Sequence, residues 1–307
     1  MAEIREGRMA VDEAGHEIHY RLFGEGSETL MCLAGGPGAS TQYLTRLGEL
    51  AGGDLQVLIH DQLGTGKSDR PDDPSLWSFP RFVEEVETVR NQLNLGKVHL
   101  YGQSWGGMLG LQCALDHPEG LESLSVSNIG ASTAEIVREM WQRRLELPAE
   151  VLRTLARYEG RQDFENPEMW QAVLQYYARF TRRATPFDLE TSIKEFSEVV
   201  VPVFADLGPA YQAMWGPFEF ICTGPLMEWD VTDRLHEIKT PTLILTGWYD
   251  ECGLTTHRVM AERIPDNEFV IFGNSSHCVI LEKEADAYLG VIKDFIQRVI
   301  ARNKKMS

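Results

Sequence analysis

The sequence predicts an α/β protein with a mostly parallel central sheet, helices on both faces and a helical lid inserted in the middle. Three observations carry this expectation. Short apolar runs alternate with amphipathic stretches along the 307 residues. The runs are apolar at nearly every position rather than every second one, as in strands covered on both faces. The section 131–232 interrupts the rhythm, with helix-like stretches rich in Arg, Glu, Trp, Tyr and Phe and no convincing strand.

Taken in order, Glu3 to Val11, the turn Asp12-Glu-Ala-Gly15 and the loosely alternating His16 to Phe23 predict an antiparallel strand pair. Buried strands follow at Thr29–Leu33, Leu55–Ile59, Val98–Tyr101 and Leu124–Val126, then at Thr242–Leu245 and Phe269–Phe272. The amphipathic segments Phe82–Leu93, Met108–His117, Thr255–Ile264 and Ala285–Ile300 predict the covering helices. The expected organisation is therefore a core domain of 1–130 and 233–307 and a helical cap of 131–232. Leaving after the strand that ends near Ser127, the cap is expected over the carboxyl edge of the sheet, where open α/β folds bind ligands.

A hydrophobic fraction of 43% and a charged fraction of 24% are ordinary for a soluble globular chain and exclude disordered and collagenous classes. With 29 Lys+Arg against 46 Asp+Glu, the net charge of −17 repels nucleic acid and anionic lipid, so neither is an expected partner. The charged N-terminus Met1-Ala-Glu-Ile-Arg-Glu-Gly-Arg8 lacks the apolar stretch of a secretion signal, and the longest apolar run, Val199 to Phe204, is short and holds Pro202. A cytoplasmic protein is expected. The five cysteines are widely spaced with no Cys-x-x-Cys pair, so no metal or other cofactor is expected.

Gly102-Gln-Ser-Trp-Gly106 lies between a predicted strand and a predicted helix, the context of a turn that lifts a nucleophilic serine clear of the backbone. By composition alone a Gly-x-Ser-x-Gly pattern arises in roughly one chain in ten of this length, so the context is what carries the reading. Serine requires a base, and in this architecture the acid and then the histidine follow it in the chain. Asp250 and His277 both sit just past carboxyl strand ends and fit that order. The imidazole would take the Ser104 proton while the carboxylate fixes its tautomer. The glycine-rich turn Ala34-Gly-Gly-Pro-Gly38 is placed to supply an oxyanion donor, so the expected donors are the backbone N–H groups of Gly36 and Trp105. Gly64-Thr-Gly-Lys-Ser68 ends like a phosphate-binding loop, but Asp61 stands where that loop needs its first glycine.

Together, Ala34-Gly-Gly-Pro-Gly38, Asp61-Gln-Leu-Gly-Thr-Gly-Lys-Ser68, Gly102-Gln-Ser-Trp-Gly-Gly107, Gly216-Pro-Phe-Glu-Phe220 with Trp229-Asp230, Gly247-Trp-Tyr-Asp-Glu251 and Ser276-His277 resemble the proline iminopeptidases. These are serine aminopeptidases of the α/β-hydrolase fold, and the resemblance covers nearly the whole chain. It implies that Glu219 and Glu251 hold the free α-ammonium of a substrate, a role that charge-assisted hydrogen bonds suit. Trp215, Phe218 and Trp248 are candidates for an apolar pocket beside them. Ala34 departs from the histidine that usually opens the family's glycine turn, which bears on how that loop is supported.

The function expected is release of an N-terminal proline or small apolar residue from short peptides or amino-acid amides through an acyl-enzyme. A carboxylesterase or lactonase acting on a neutral substrate would use the same triad without needing both glutamates, and an aminoacyl-removing hydrolase acting on a small molecule is a further alternative. A non-catalytic receptor on this fold would need no triad at all.

Overall fold

The computed structural model describes residues 4–205 and 207–305. All eight anticipated strands form: β1 Ile4–Ala10, β2 Glu17–Phe23, β3 Glu28–Leu33, β4 Leu55–His60, β5 Val98–Gln103, β6 Leu121–Ser127, β7 Thr242–Gly247 and β8 Asn267–Phe272. They make one sheet in the order β1-β2-β4-β3-β5-β6-β7-β8, in which β2 alone runs against the others. Strand β6 begins three residues before the apolar signal at Leu124, because Glu122 and Ser123 interrupt the run. Ser123 is nevertheless buried, its hydroxyl 2.8 Å from His99 Nδ1.

Side-chain alternation divides the core into two layers. Met31, Leu33, Leu58, Leu100, Val126 and Ile244 point to one face. Leu30, Cys32, Val57, Ile59, Tyr101, Leu243 and Leu245 point to the other. The helices are α1 Phe79–Gln92, α2 Trp105–Asp116, α3 Thr133–Arg144, α4 Ala149–Glu159, α5 Pro167–Phe180, α6 Leu189–Val199, α7 Val201–Ala205, α8 Pro209–Met214, α9 Gly253–Arg263 and α10 Ala285–Asn303. Phe82, Val86, Met108, Leu109 and Met260 bring α1, α2 and α9 onto the first layer. Leu289, Ile292, Phe295 and Ile296 bring α10 onto the second, beside Leu44 and Leu47 of a 3-10 helix, Thr41–Leu50, that periodicity did not reveal.

Helices α3 to α8 all lie between β6 and β7, and among the described residues that section holds no strand of the sheet. Its two ends pair with each other: Val231 N–H donates to Ala131 O (2.8 Å) and Thr133 N–H to Trp229 O (3.0 Å). The register places Leu33 beside Gly102, Gln103 beside Ser127, Ser127 beside Leu245 and Gly247 beside Phe272. The strands therefore end together, and the loops leaving them converge on one edge. Among the described residues no helix is long and apolar enough to cross a membrane.

Candidate active site

Ser104 sits between β5 and α2 with φ 56° and ψ −125°, a left-handed conformation that costs a residue with a Cβ on the order of 1–3 kcal/mol. The turn is closed by hydrogen bonds from the N–H groups of Gly107 (2.7 Å) and Met108 (3.2 Å) to Ser104 O. Its flanking glycines are obligatory. A Cβ on Gly102 would lie 2.0 Å from Gly106 O, and one on Gly106 would lie 2.3 Å from Leu33 O.

Trp105 opens α2, so its N–H is among the donors the helix cannot satisfy internally. Gly36 lines the same cavity as Ser104. Its φ of 113° belongs to glycine, and a Cβ there would lie 2.5 Å from Gly38 N. The loop begins at a fully buried Ala34, and its support comes from Tyr43. Gly35 N–H donates to Tyr43 OH (2.7 Å), and Tyr43 OH donates to Gln103 Oε1 (2.7 Å). Gln103 Nε2 then reaches His277 O at 3.3 Å, so one side chain joins the glycine loop, the serine turn and the histidine loop.

His277 Nδ1 lies 2.8 Å from Asp250 Oδ1. Asp250 is completely buried and also accepts from Cys252 N–H (3.1 Å), Thr246 Oγ1 (2.9 Å) and Asn128 Nδ2 (3.0 Å). Burial alone would raise the Asp250 carboxyl, but His277 and these donors outweigh it and hold the group well below the usual range. Burial alone would lower His277, whereas the charges of Asp250, Glu251 and Glu219 raise it to about 9. His257 stands behind the carboxylate, with Nε2 3.5 Å from Asp250 Oδ2 and Nδ1 bonded to Gly253 O at 2.7 Å.

Glu219 lines the cavity together with Ser104 and His277. Its Oε1 accepts from Tyr211 OH (2.8 Å) and its backbone N–H donates to Tyr177 OH (3.3 Å). Burial raises its carboxyl above the ordinary range. Glu251 is not among the residues that line this cavity. It stands behind Thr181, whose hydroxyl donates to Oε1 at 3.2 Å, and Oε1 is 3.8 Å from His277 Nδ1. Its Oε2 is buried with no hydrogen-bond partner among the described residues, and burial with the nearby Glu219 and Asp250 charges raises the carboxyl.

The apolar part of this cavity's wall is Ala39, Tyr43, Val200, Val203, Cys278 and Leu281, and the three aromatic candidates lie outside it. Trp215 lies beneath Glu219, its Nε1 donating to Phe218 O and Glu219 O (3.1 Å each). Phe218 is turned into an aromatic cluster with Phe164, Trp170 and Phe220. Trp248 is 48% exposed, with its carbonyl held by Arg143 Nη2 at 2.9 Å. Large aromatic side chains filled the insertion's own core, while smaller residues were left to line the cavity.

Tyr43, Gln103, Thr181 and Asn128 were not singled out in the sequence. Gln103 lay inside the serine motif as an unspecified position, and the other three carry no local pattern. The inserted segment also grips the histidine loop: His277 N–H donates to Phe180 O (3.0 Å) and Cys278 N–H to Thr181 O (2.9 Å).

A family model described as the alpha/beta hydrolase fold matches residues 28–284. A proline iminopeptidase of Saccharolobus solfataricus is 38% identical over 294 residues, spanning 94% of this chain and 92% of its own length. One from Lactobacillus acidophilus is 35% identical over 299 residues, 96% of this chain and 98% of its own. The crystal structure of the Mycobacterium smegmatis proline iminopeptidase matches with a TM-score of 0.83 at 30% identity, covering 97% of this chain and 100% of that one.

Proposed function

The chain belongs to the proline iminopeptidases of the α/β-hydrolase fold, and from that premise we propose how its own residues release an N-terminal residue from a peptide. It is a serine hydrolase of the N-terminal-proline-releasing type. The observation that carries the residue assignment is the sharing of one cavity by Ser104, His277, the Gly36 backbone and the buried carboxylate of Glu219.

Glu219 binds the free α-ammonium by a charge-assisted contact, which sets the first carbonyl of the substrate against Ser104. His277 takes the serine proton as Oγ attacks, while Asp250 holds the imidazole and stabilises its cation. The oxyanion is met by the N–H groups of Gly36 and Trp105. His277 then gives its proton to the leaving amine, and water activated by the same imidazole hydrolyses the acyl-enzyme. Glu251 acts at one remove, adding negative charge behind the ammonium and beside His277. Val200, Val203 and Leu281 supply the apolar wall for a proline ring or a small side chain. In this reading residues 131–232 form a cap on a core of 1–130 and 233–307, and the pairing of the two ends of the insertion supports that boundary.

Substrates are short peptides or amino-acid amides with a free amino terminus. Proline p-nitroanilide is expected to exceed its N-acetyl counterpart in kcat/KM by at least about a hundredfold, from the ~3 kcal/mol that a desolvated charge contact contributes. Equal rates on the two, or a preference for p-nitrophenyl acetate, would move the protein to an esterase reading.

A pH prediction follows from His277. The imidazole must be neutral to act as base, so with its folded pKa raised to about 9 the reactive form appears only as pH climbs through that value. Inactivation by phenylmethanesulfonyl fluoride, which has no amine of its own to titrate, is expected to accelerate with a midpoint near 9. Glu251→Gln removes one of the charges that raise His277, so its midpoint is expected at lower pH. A wild-type midpoint at the ordinary histidine value of about 6.5 contradicts this electrostatic picture.

A further inference from the structure

Asn128 follows the last residue of β6 with φ 57°, a left-handed conformation that asparagine tolerates better than most side chains. Every polar group it has is engaged around the triad. Its backbone N–H donates to Leu245 O (2.9 Å), and its backbone O lies 3.5 Å from Cys252 Sγ. Its Nδ2 donates both to Asp250 Oδ2 (3.0 Å) and to Ser276 O (3.2 Å), the residue just before His277. The amide orientation is fixed by chemistry, because an ionised carboxylate and a carbonyl can only accept. Oδ1 therefore faces the other way, where Ser127 Oγ donates to it at 2.5 Å.

The donors continue into the core. Tyr288 OH donates to Ser127 Oγ (2.7 Å), which commits its proton, so Tyr101 OH is the donor in the 2.6 Å contact with Tyr288 OH. Tyr101 lies on β5, three residues before Ser104. The chain Tyr101→Tyr288→Ser127→Asn128→Asp250 thus points every hydrogen the same way, from the strand that carries the nucleophile to the carboxylate that holds its base. All of these side chains are buried.

We propose that Asn128 is a positioning residue of the triad, a single amide that ties the Asp250 and His277 loops together and is itself oriented by the donor chain from Tyr101. This rests on Ser104, His277 and Asp250 being the triad, which inactivation of the wild type at Ser104 tests separately. Asn128 touches no substrate and acts through Asp250 and Ser276. The other titratable and charged groups facing Asp250 are His277, His257, Glu251, Cys252 and Arg143, whose Nε donates to Asp250 O at 3.1 Å.

Three variants test the assignment on proline p-nitroanilide. Asn128→Gly keeps the left-handed backbone and removes the amide; kcat is expected to fall about 10- to 100-fold with KM within about threefold, the pattern of a lost transition-state interaction. Unchanged kcat, or a loss confined to KM, overturns the proposal. Asn128→Asp keeps the size but sets an acceptor against Asp250. Two buried carboxyls this close share one proton rather than both ionising, so the charge facing His277 stays single while the amide's donation to Ser276 O is lost; kcat is expected to fall at least about tenfold at constant KM, and wild-type kcat overturns the proposal. Tyr288→Phe removes one hydroxyl, three hydrogen bonds away from Asp250, and keeps the ring. It carries the test if both Asn128 variants fail to fold. A severalfold fall in kcat at constant KM supports the donor chain, and wild-type kcat in this variant overturns it.

Discussion

Ser104→Ala is expected to lower kcat/KM on proline p-nitroanilide by about 10⁴-fold or more, the scale on which serine hydrolases lose activity without their nucleophile. The oxyanion donors and the cavity would remain, so a residual rate above that of water is expected. The fold should be unaffected, because the Ser104 side chain makes no capping hydrogen bond and alanine would inherit the same left-handed backbone. Thermal unfolding within a few degrees of the wild type checks that point. A Ser104→Ala protein retaining more than a hundredth of the activity would remove the serine mechanism.

Glu219→Gln is the second large effect, and its contrast with Glu251→Gln separates two jobs that looked alike in the sequence. Glu219 faces the cavity, so its neutral replacement leaves a substrate ammonium desolvated and unpaired. Loss of such a partner costs about 2–5 kcal/mol, or roughly 30- to 4000-fold in kcat/KM on free-amine substrates. N-acetylated substrates carry no ammonium and are expected to be almost indifferent to the change. Glu251 stands behind Thr181, so Glu251→Gln is expected to keep most of the preference for a free amine and to show its effect in the pH profile. Equal losses of amine preference in the two variants would place both carboxylates in direct contact with the ammonium.

The sheet was legible because parallel strands buried on both faces must be apolar at nearly every position, as Thr29–Leu33 and Thr242–Leu245 are. The serine turn and the pairing of His277 with Asp250 were legible because Gly102 and Gly106 are fixed by close approach and the chain order Ser104, Asp250, His277 by topology. The substrate wall was not. Trp215 and Phe218 sit beside Glu219 in sequence, yet their size sent them into the core of the insertion, and Val200, Val203 and Leu281 came to the cavity from other segments. Tertiary packing also decided the place of Glu251, one residue from Asp250 and bonded to Thr181 rather than lining the cavity itself. Asn128 carried no motif, because its importance lies in a hydrogen-bond network spanning β5, β6, α10 and the loop after β7. The 3-10 segment Thr41–Leu50 was missed for a simpler reason: its three-residue repeat does not produce the helical period that a sequence scan detects.

The most direct test is to capture the acyl-enzyme. Mixing the protein with the p-nitrophenyl ester of proline, quenching with acid and mapping peptides by mass spectrometry is expected to find one prolyl group on the peptide containing Ser104. The adduct should be missing from Ser104→Ala and from protein mixed with the N-acetylproline ester. A prolyl group on a peptide without Ser104, or equal labelling by the acetylated ester, would contradict the assignment of Ser104 as a nucleophile governed by a free amine.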